Sequence, residues 1–219
     1  MKQSLIAALV LVSASAALAF PDYPWPIPTP IAIPDNLPAG ISVDVVVIDT
    51  LKLQAEPTNC VEVTLLFGGG ATGHTWIGDL VATLTHVADG TSDLFNRIGR
   101  IGGAGFGDSS DALGPYKFTN GPKGNPGDIW AAAALAGAAA VVPAGNYRAT
   151  TAGAAAFIDL CAPFLSGGSK GTWRLNVHDD AGGDVGTLVS ATLTLKPEPS
   201  TLALLGLGTL ALIRRRRAA

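Results

Sequence analysis

Residues 171–195 read Gly-Thr-Trp-Arg-Leu-Asn-Val-His-Asp-Asp-Ala-Gly-Gly-Asp-Val-Gly-Thr-Leu-Val-Ser-Ala-Thr-Leu-Thr-Leu. Trp173, Leu175 and Val177 alternate with Thr172, Arg174 and Asn176. After the turn chemistry of Ala181-Gly182-Gly183 the alternation resumes, with Val189, Ala191, Leu193 and Leu195 set against Ser190, Thr192 and Thr194. A period of two, apolar on one side and polar on the other, is the pattern of an antiparallel strand that covers a core with one face only. The same period governs Val61, Val63, Leu65 and Phe67, and again Leu80, Ala82 and Leu84. Glycine turns at Gly68-Gly69-Gly70, Asp89-Gly90, Gly102-Gly103 and Gly167-Gly168 separate the runs. Many short strands joined this way predict an all-β fold, an antiparallel β-sandwich or jelly roll. The alanine-rich stretch from Ile129 to Val142 departs from the pattern and reads as a short helix or a tightly packed crossover. No repeat of 20–50 residues runs along the chain, which excludes a solenoid.

The chain has 219 residues, 14% of them charged and 6% aromatic, with a formal charge of -3. That length suits one core of ordinary domain size. The small charge and the lack of a basic stripe in the interior speak against a nucleic-acid partner. An apolar fraction of 48% excludes general disorder, and residues 40–196 hold no apolar run long enough for a polytopic membrane protein.

The two ends read as addresses. Residues 1–19 have a basic start at Lys2, an apolar stretch from Leu5 to Leu18, and a small-x-small site at Ala17-Leu18-Ala19. This is the pattern of a secretory signal, with a short buried helix as the other reading. Signal peptidase would cut between Ala19 and Phe20, and the chain is expected to be exported. At the other end, Pro197-Glu198-Pro199-Ser200 precedes the apolar run 201–213 and then Arg214, Arg215, Arg216 and Arg217. Thirteen residues span about 20 Å as a helix, short of a hydrocarbon core, and the arginines would stay on the cytoplasmic side. Residues 197–219 thus read as a weak, transient membrane anchor. They resemble the PEP-CTERM sorting signal of Gram-negative bacteria that make exopolysaccharide. That resemblance implies processing by a membrane-embedded exosortase near the Pro-Glu-Pro, then residence at the cell surface or in the extracellular matrix. A plain tail anchor is the alternative. Without both ends, nine basic residues face sixteen acidic ones, and the core carries a charge near -7.

Between the addresses lie two expected units. Residues 20–39 hold seven prolines from Pro21 to Pro38 and predict a semi-rigid linker that neither pairs as a strand nor runs as a helix. Residues 40–196 form the sandwich. Cys60 and Cys161, an even pair in an exported chain, favour a disulfide.

Two stretches of the core carry a second resemblance. The first is His74-Thr75-Trp76-Ile77-Gly78-Asp79-Leu80-Val81-Ala82-Thr83-Leu84, followed by Asp89-Gly90-Thr91. The second is Gly171-Thr172-Trp173-Arg174-Leu175-Asn176-Val177, followed by Asp180 and Gly183-Asp184-Val185-Gly186-Thr187-Leu188. Together, over about residues 43–195, they resemble the P domain (homo B domain) that accompanies the catalytic domain of subtilisin-like proprotein convertases. Residues 100–160 depart from that family's pattern. Some P domains hold calcium, and the resemblance makes Asp79, Asp179, Asp180 and Asp184 candidate hard-oxygen ligands, with turn capping as the other role for these aspartates.

Neither a Gly-x-Ser-x-Gly elbow nor a His-Glu-x-x-His motif occurs, and the chain has no room for a convertase catalytic domain. His178 and Asp179 with Ser166 or Ser169 can be drawn as a triad, as any domain with three histidines permits. The expectation is a non-catalytic exported protein, with extracellular polysaccharide as a candidate ligand through Trp76, Trp130, Tyr116 or Tyr147, and with core or turn packing as the other role for each of these aromatics. The alternative is a protease-associated module acting in trans on a separate serine peptidase.

Overall fold

The computed structural model describes residues 20–50, 53, 60–70, 73–120 and 127–196. The expected signal segment with Ala19, the sorting motif with Pro197, Glu198 and Pro199, the apolar run 201–213 and Arg214, Arg215, Arg216 and Arg217 lie outside the described residues.

Two β-sheets face each other. The strands are β1 Asp22–Pro24, β2 Ile31–Ile33, β3 Leu37–Val47, β4 Val61–Gly68, β5 Leu80–His86, β6 Gly90–Asn96, β7 Tyr116–Thr119, β8 Gly145–Tyr147, β9 Gly171–Asp179 and β10 Gly186–Leu195. The six-stranded sheet runs β1-β10-β4-β7-β8, with β2 also paired to β10; the four-stranded sheet runs β3-β9-β5-β6. The all-β sandwich read from the alternation is thus the fold. Val63, Leu65 and Phe67 from one sheet and Leu84, Trp173, Leu175 and Val177 from the other fill the core. Trp173 is fully buried, packs edge-on against Phe164 and donates its indole N–H to the Ser169 carbonyl at 2.8 Å.

In β10 the alternation slips by one residue. The pairing with β4 passes from Leu188 opposite Phe67 to Ser190 opposite Leu66, so Val189 is a bulge. Leu188 is fully buried while Val189 is only half-buried, which corrects the sequence expectation that Val189 faces the core. A bulge puts two residues against one partner residue, and strict alternation fails across it.

The proline-rich segment is a second correction. Residues 20–39 do not stand off as a spacer: β1 and β2 lie antiparallel along β10, and β3 already begins at Leu37. Trp25 and Ile33 are buried in the common core, and the Trp25 indole N–H reaches the Trp173 carbonyl at 3.3 Å. Proline is barred from central strands because it lacks an N–H, but three-residue edge strands tolerate it, and there it blunts the edge against further pairing.

The alanine-rich stretch supplies α1, Ile129–Ala136, started by the Asp128 side chain accepting the Trp130 N–H and stopped at Gly137. It lies in the connection between β7 and β8, the one parallel pair among the described strands. Parallel neighbours need such a crossover, so helix and crossover are the same segment. Cys60 and Cys161 form a disulfide, with Cα atoms 5.8 Å apart.

Candidate functional site

At one end of the four-stranded sheet, charged residues gather where the chain enters β5 and leaves β9. The entry is held by backbone. His74 and Ala112 exchange both N–H···O bonds, the Ile77 N–H reaches the Ser110 carbonyl at 2.7 Å, and the Gly78 N–H reaches the Asp108 carbonyl at 3.0 Å. Gly78 is obligatory here, because a Cβ would collide with the backbone of Gly107 and Asp108. Trp76 adopts φ 64° and ψ 79°, left-handed backbone that costs a bulky residue about 1–3 kcal/mol. Its indole N–H is tied to the Phe106 carbonyl at 3.1 Å.

Asp79 closes this entry turn, and the pairing of Leu80 with Asp179 brings both aspartates to the same level of the sheet. The Asp180 N–H donates to the Asp79 carbonyl at 3.0 Å. Arg97, at the end of β6, donates from Nη2 to Asp79 Oδ1 at 3.1 Å and from Nε to the Gly78 carbonyl at 3.1 Å. Both partners of this ion pair are buried. Burial, reinforced by the negative charge of Asp179 and only partly offset by Arg97, pushes the Asp79 carboxyl up to about 6.

The second pair is His74 with Asp179, both fully buried, with Nε2 and Oδ2 3.2 Å apart. The contact is at ion-pair distance but off the hydrogen-bond line. His74 Nδ1 lies 2.5 Å from the Thr75 carbonyl, which can only accept, so Nδ1 carries a hydrogen. Nε2 therefore meets the carboxylate attractively only if one further proton lies between them, on the ring or on the carboxyl. Burial pushes His74 down and Asp179 up, both toward the neutral form. The charge of each group favours ionisation of the other, against the burial that opposes both.

The structure thus brings Asp79, Asp179 and Asp184 within electrostatic reach of one another, with Asp180 alongside but facing His178 Nε2 at 3.3 Å. As a calcium site the cluster fits poorly. Asp79 is engaged by Arg97, and Asp179 by His74 and by the Ala181 N–H at 2.9 Å. Calcium takes six to eight oxygens, and no group of three or more His, Cys, Asp or Glu side chains suited to a metal occurs among the described residues. Arg97 and His74 each meet one aspartate, and the negative charge of Asp184 acts on both Asp79 and Asp179.

The drawn triad does not assemble. Asp179 belongs to His74, His178 is held by Asn176 and Asp180, and the Ser169 hydroxyl donates to the Asp49 carbonyl at 2.6 Å. Of the four candidate aromatics, Tyr116, Trp130 and Tyr147 are buried in the core, which corrects their reading as sugar contacts in favour of the packing role, and only Trp76 stays partly exposed. The sequence reading missed His74 and Arg97 as partners of the aspartates. A signal existed for Arg97: with so few basic residues in the core, one that closely follows the apolar pair Leu94-Phe95 is a natural counter-ion for a buried carboxylate.

A sandwich with this buried network and a C-terminal address is the class of protein that fold and site define. Residues 197–217 match the family model described as the PEP-CTERM protein-sorting motif. The motif implies an exported chain handled by an exosortase-type system, with transient anchoring in the membrane. No curated protein and no solved structure matches the chain. The likeness of residues 43–195 to a P domain accordingly has no support from a relative.

Proposed function

We propose that this chain is an exported, non-catalytic protein of the cell surface or extracellular matrix of a Gram-negative bacterium, retained there by polysaccharide. The observation that supports it is the sorting motif of residues 197–217, placed directly after the last residue of a disulfide-closed sandwich. The mature core is acidic, so polyanions would be repelled and neutral glycans admitted.

The test is to expose the exported protein to the producer's own exopolysaccharide and secreted proteins, once with calcium and once with chelator. Retention on the polysaccharide is expected in both buffers. Capture of a secreted serine peptidase, with no retention on polysaccharide, overturns this reading in favour of a P-domain-like module acting in trans.

A further inference from the structure

The outward face of the six-stranded sheet carries a groove that the buried network does not touch. It is shallow and open to solvent, about 480 Å³, and is lined by Phe20, Asp22, Glu62, Thr64, Lys117, Thr192 and Thr194. A second depression of about 270 Å³, bounded by Pro115 and Asn146 on its far side, shares Thr64 and Lys117 with the first, so the two run into one another. Strand register explains the lining. Thr192 sits opposite Thr64, Thr64 opposite Lys117, and Lys117 opposite Asn146, one polar side chain from each of β10, β4, β7 and β8. Four strands at about 4.8 Å spacing make a row about 14 Å long, the reach of a short oligosaccharide. A parallel row of Asp22, Thr194 and Glu62 lies beside it.

The chemistry of this face is narrow. Its hydroxyls and amide both donate and accept hydrogen bonds. Its charges cancel, Asp22 and Glu62 against Lys117 and Lys196, and the Lys196 ammonium is already bound to Glu62 Oε1 at 2.5 Å. Phe20, 42% exposed, supplies one aromatic wall, with Lys196 Nζ 5.3 Å from its ring centroid. A charge-balanced face of threonine hydroxyls with one ring beside it suits a neutral polyhydroxyl chain better than a polyanion or an apolar helix.

We propose that this face binds a neutral polysaccharide laid across β10, β4, β7 and β8 along the Thr192–Thr64–Lys117–Asn146 row. The proposal rests on the matrix reading above and names its binding site. The test is affinity electrophoresis of the exported protein in gels containing exopolysaccharide purified from the producing cells. The triple variant Thr64→Ala, Thr192→Ala, Asn146→Ala is expected to bind at least tenfold more weakly, and Phe106→Ala, at the other end of the sandwich, to bind as the parent does. Lysine acetylation gives a readout that needs no variant: bound polysaccharide is expected to protect Lys117 and leave the exposed Lys170 reactive. Parental retention with an unaffected triple variant and an unprotected Lys117 overturns this face but leaves the matrix reading intact. Retention abolished by added salt overturns the neutral ligand. A parent protein that is not retarded overturns the face, and fractionation of the culture then decides separately whether the chain resides in the matrix.

Discussion

Arg97→Ala is the sharpest perturbation of the buried network. It removes the cation beside Asp79 and leaves a carboxylate that is 3% exposed and close to Asp179. Breaking one side of a buried pair typically costs about 3–5 kcal/mol, most of it the penalty on the abandoned charge. The pH dependence identifies the cause. Asp79 titrates near 6 in the folded protein against an ordinary 3.8, so the fold binds this proton more tightly than the unfolded chain does. The stability linked to it is fully present below about 4 and is lost as pH rises through about 6, a swing of about 3 kcal/mol. Without Arg97 the carboxyl moves higher still, and at pH 5 it is protonated and needs no counter-ion. Urea unfolding should therefore show Arg97→Ala losing about 3–5 kcal/mol at pH 7.5. At pH 5 the loss should shrink to about 1–2 kcal/mol, the value of the lost hydrogen bonds. Adding Asp79→Asn should restore much of the difference at pH 7.5. An equal loss at both pH values, or a double variant no better than the single, refutes the reasoning.

Four further outcomes test the fold. Reducing the Cys60–Cys161 bridge, or Cys161→Ser, removes a closed loop of about 100 residues and should cost about 2–5 kcal/mol, read as a fall in Tm that reductant reproduces in the parent protein. Leu188→Ala should cost about 2–5 kcal/mol in urea unfolding while Val189→Thr stays within about 1 kcal/mol, and the reverse order would remove the bulge. Trp25→Ala should cost about 3–5 kcal/mol if residues 20–39 are docked, and a free linker would show no change in Tm. Gly73→Ala should fail to fold at 37 °C by circular dichroism, since φ is +87° there and a Cβ would overlap the Ala112 carbonyl.

The two sheets were legible because Val61–Phe67, Leu80–Leu84 and Trp173–Val177 each keep one apolar face without interruption. Periodicity cannot register an inserted residue, which is why Val189 was placed on the wrong side. Composition misled at Pro21–Pro38 for a different reason: proline content reports lost N–H donors, while Trp25 and Ile33 report burial, and at a sheet edge both hold at once. The ion pairs were half legible. Asp79 and Asp179 stood out in their turns, but His74 and Arg97 reach them only through the β5–β9 register and the close of β6, contacts distant in sequence. For Tyr116 and Tyr147 the sequence left two roles open, sugar contact or core packing, because a tyrosine hydroxyl can be satisfied by water or by a buried carbonyl. In the fold those hydroxyls donate to the Val142 and Pro143 carbonyls, at 3.0 and 2.6 Å.

The start and the end of the sandwich meet at one corner. The Leu195 N–H reaches the Pro21 carbonyl at 3.3 Å, and the Lys196 N–H reaches the Cys60 carbonyl at 2.7 Å, next to the disulfide. This placement has a mechanical meaning for a chain held by its C-terminal segment. Tension arriving at Lys196 runs along β10, which has β4 on one side and β1 and β2 on the other, so its ladders would have to slip together rather than unzip one at a time. The sandwich is thus tethered at a strand that is clamped on both edges.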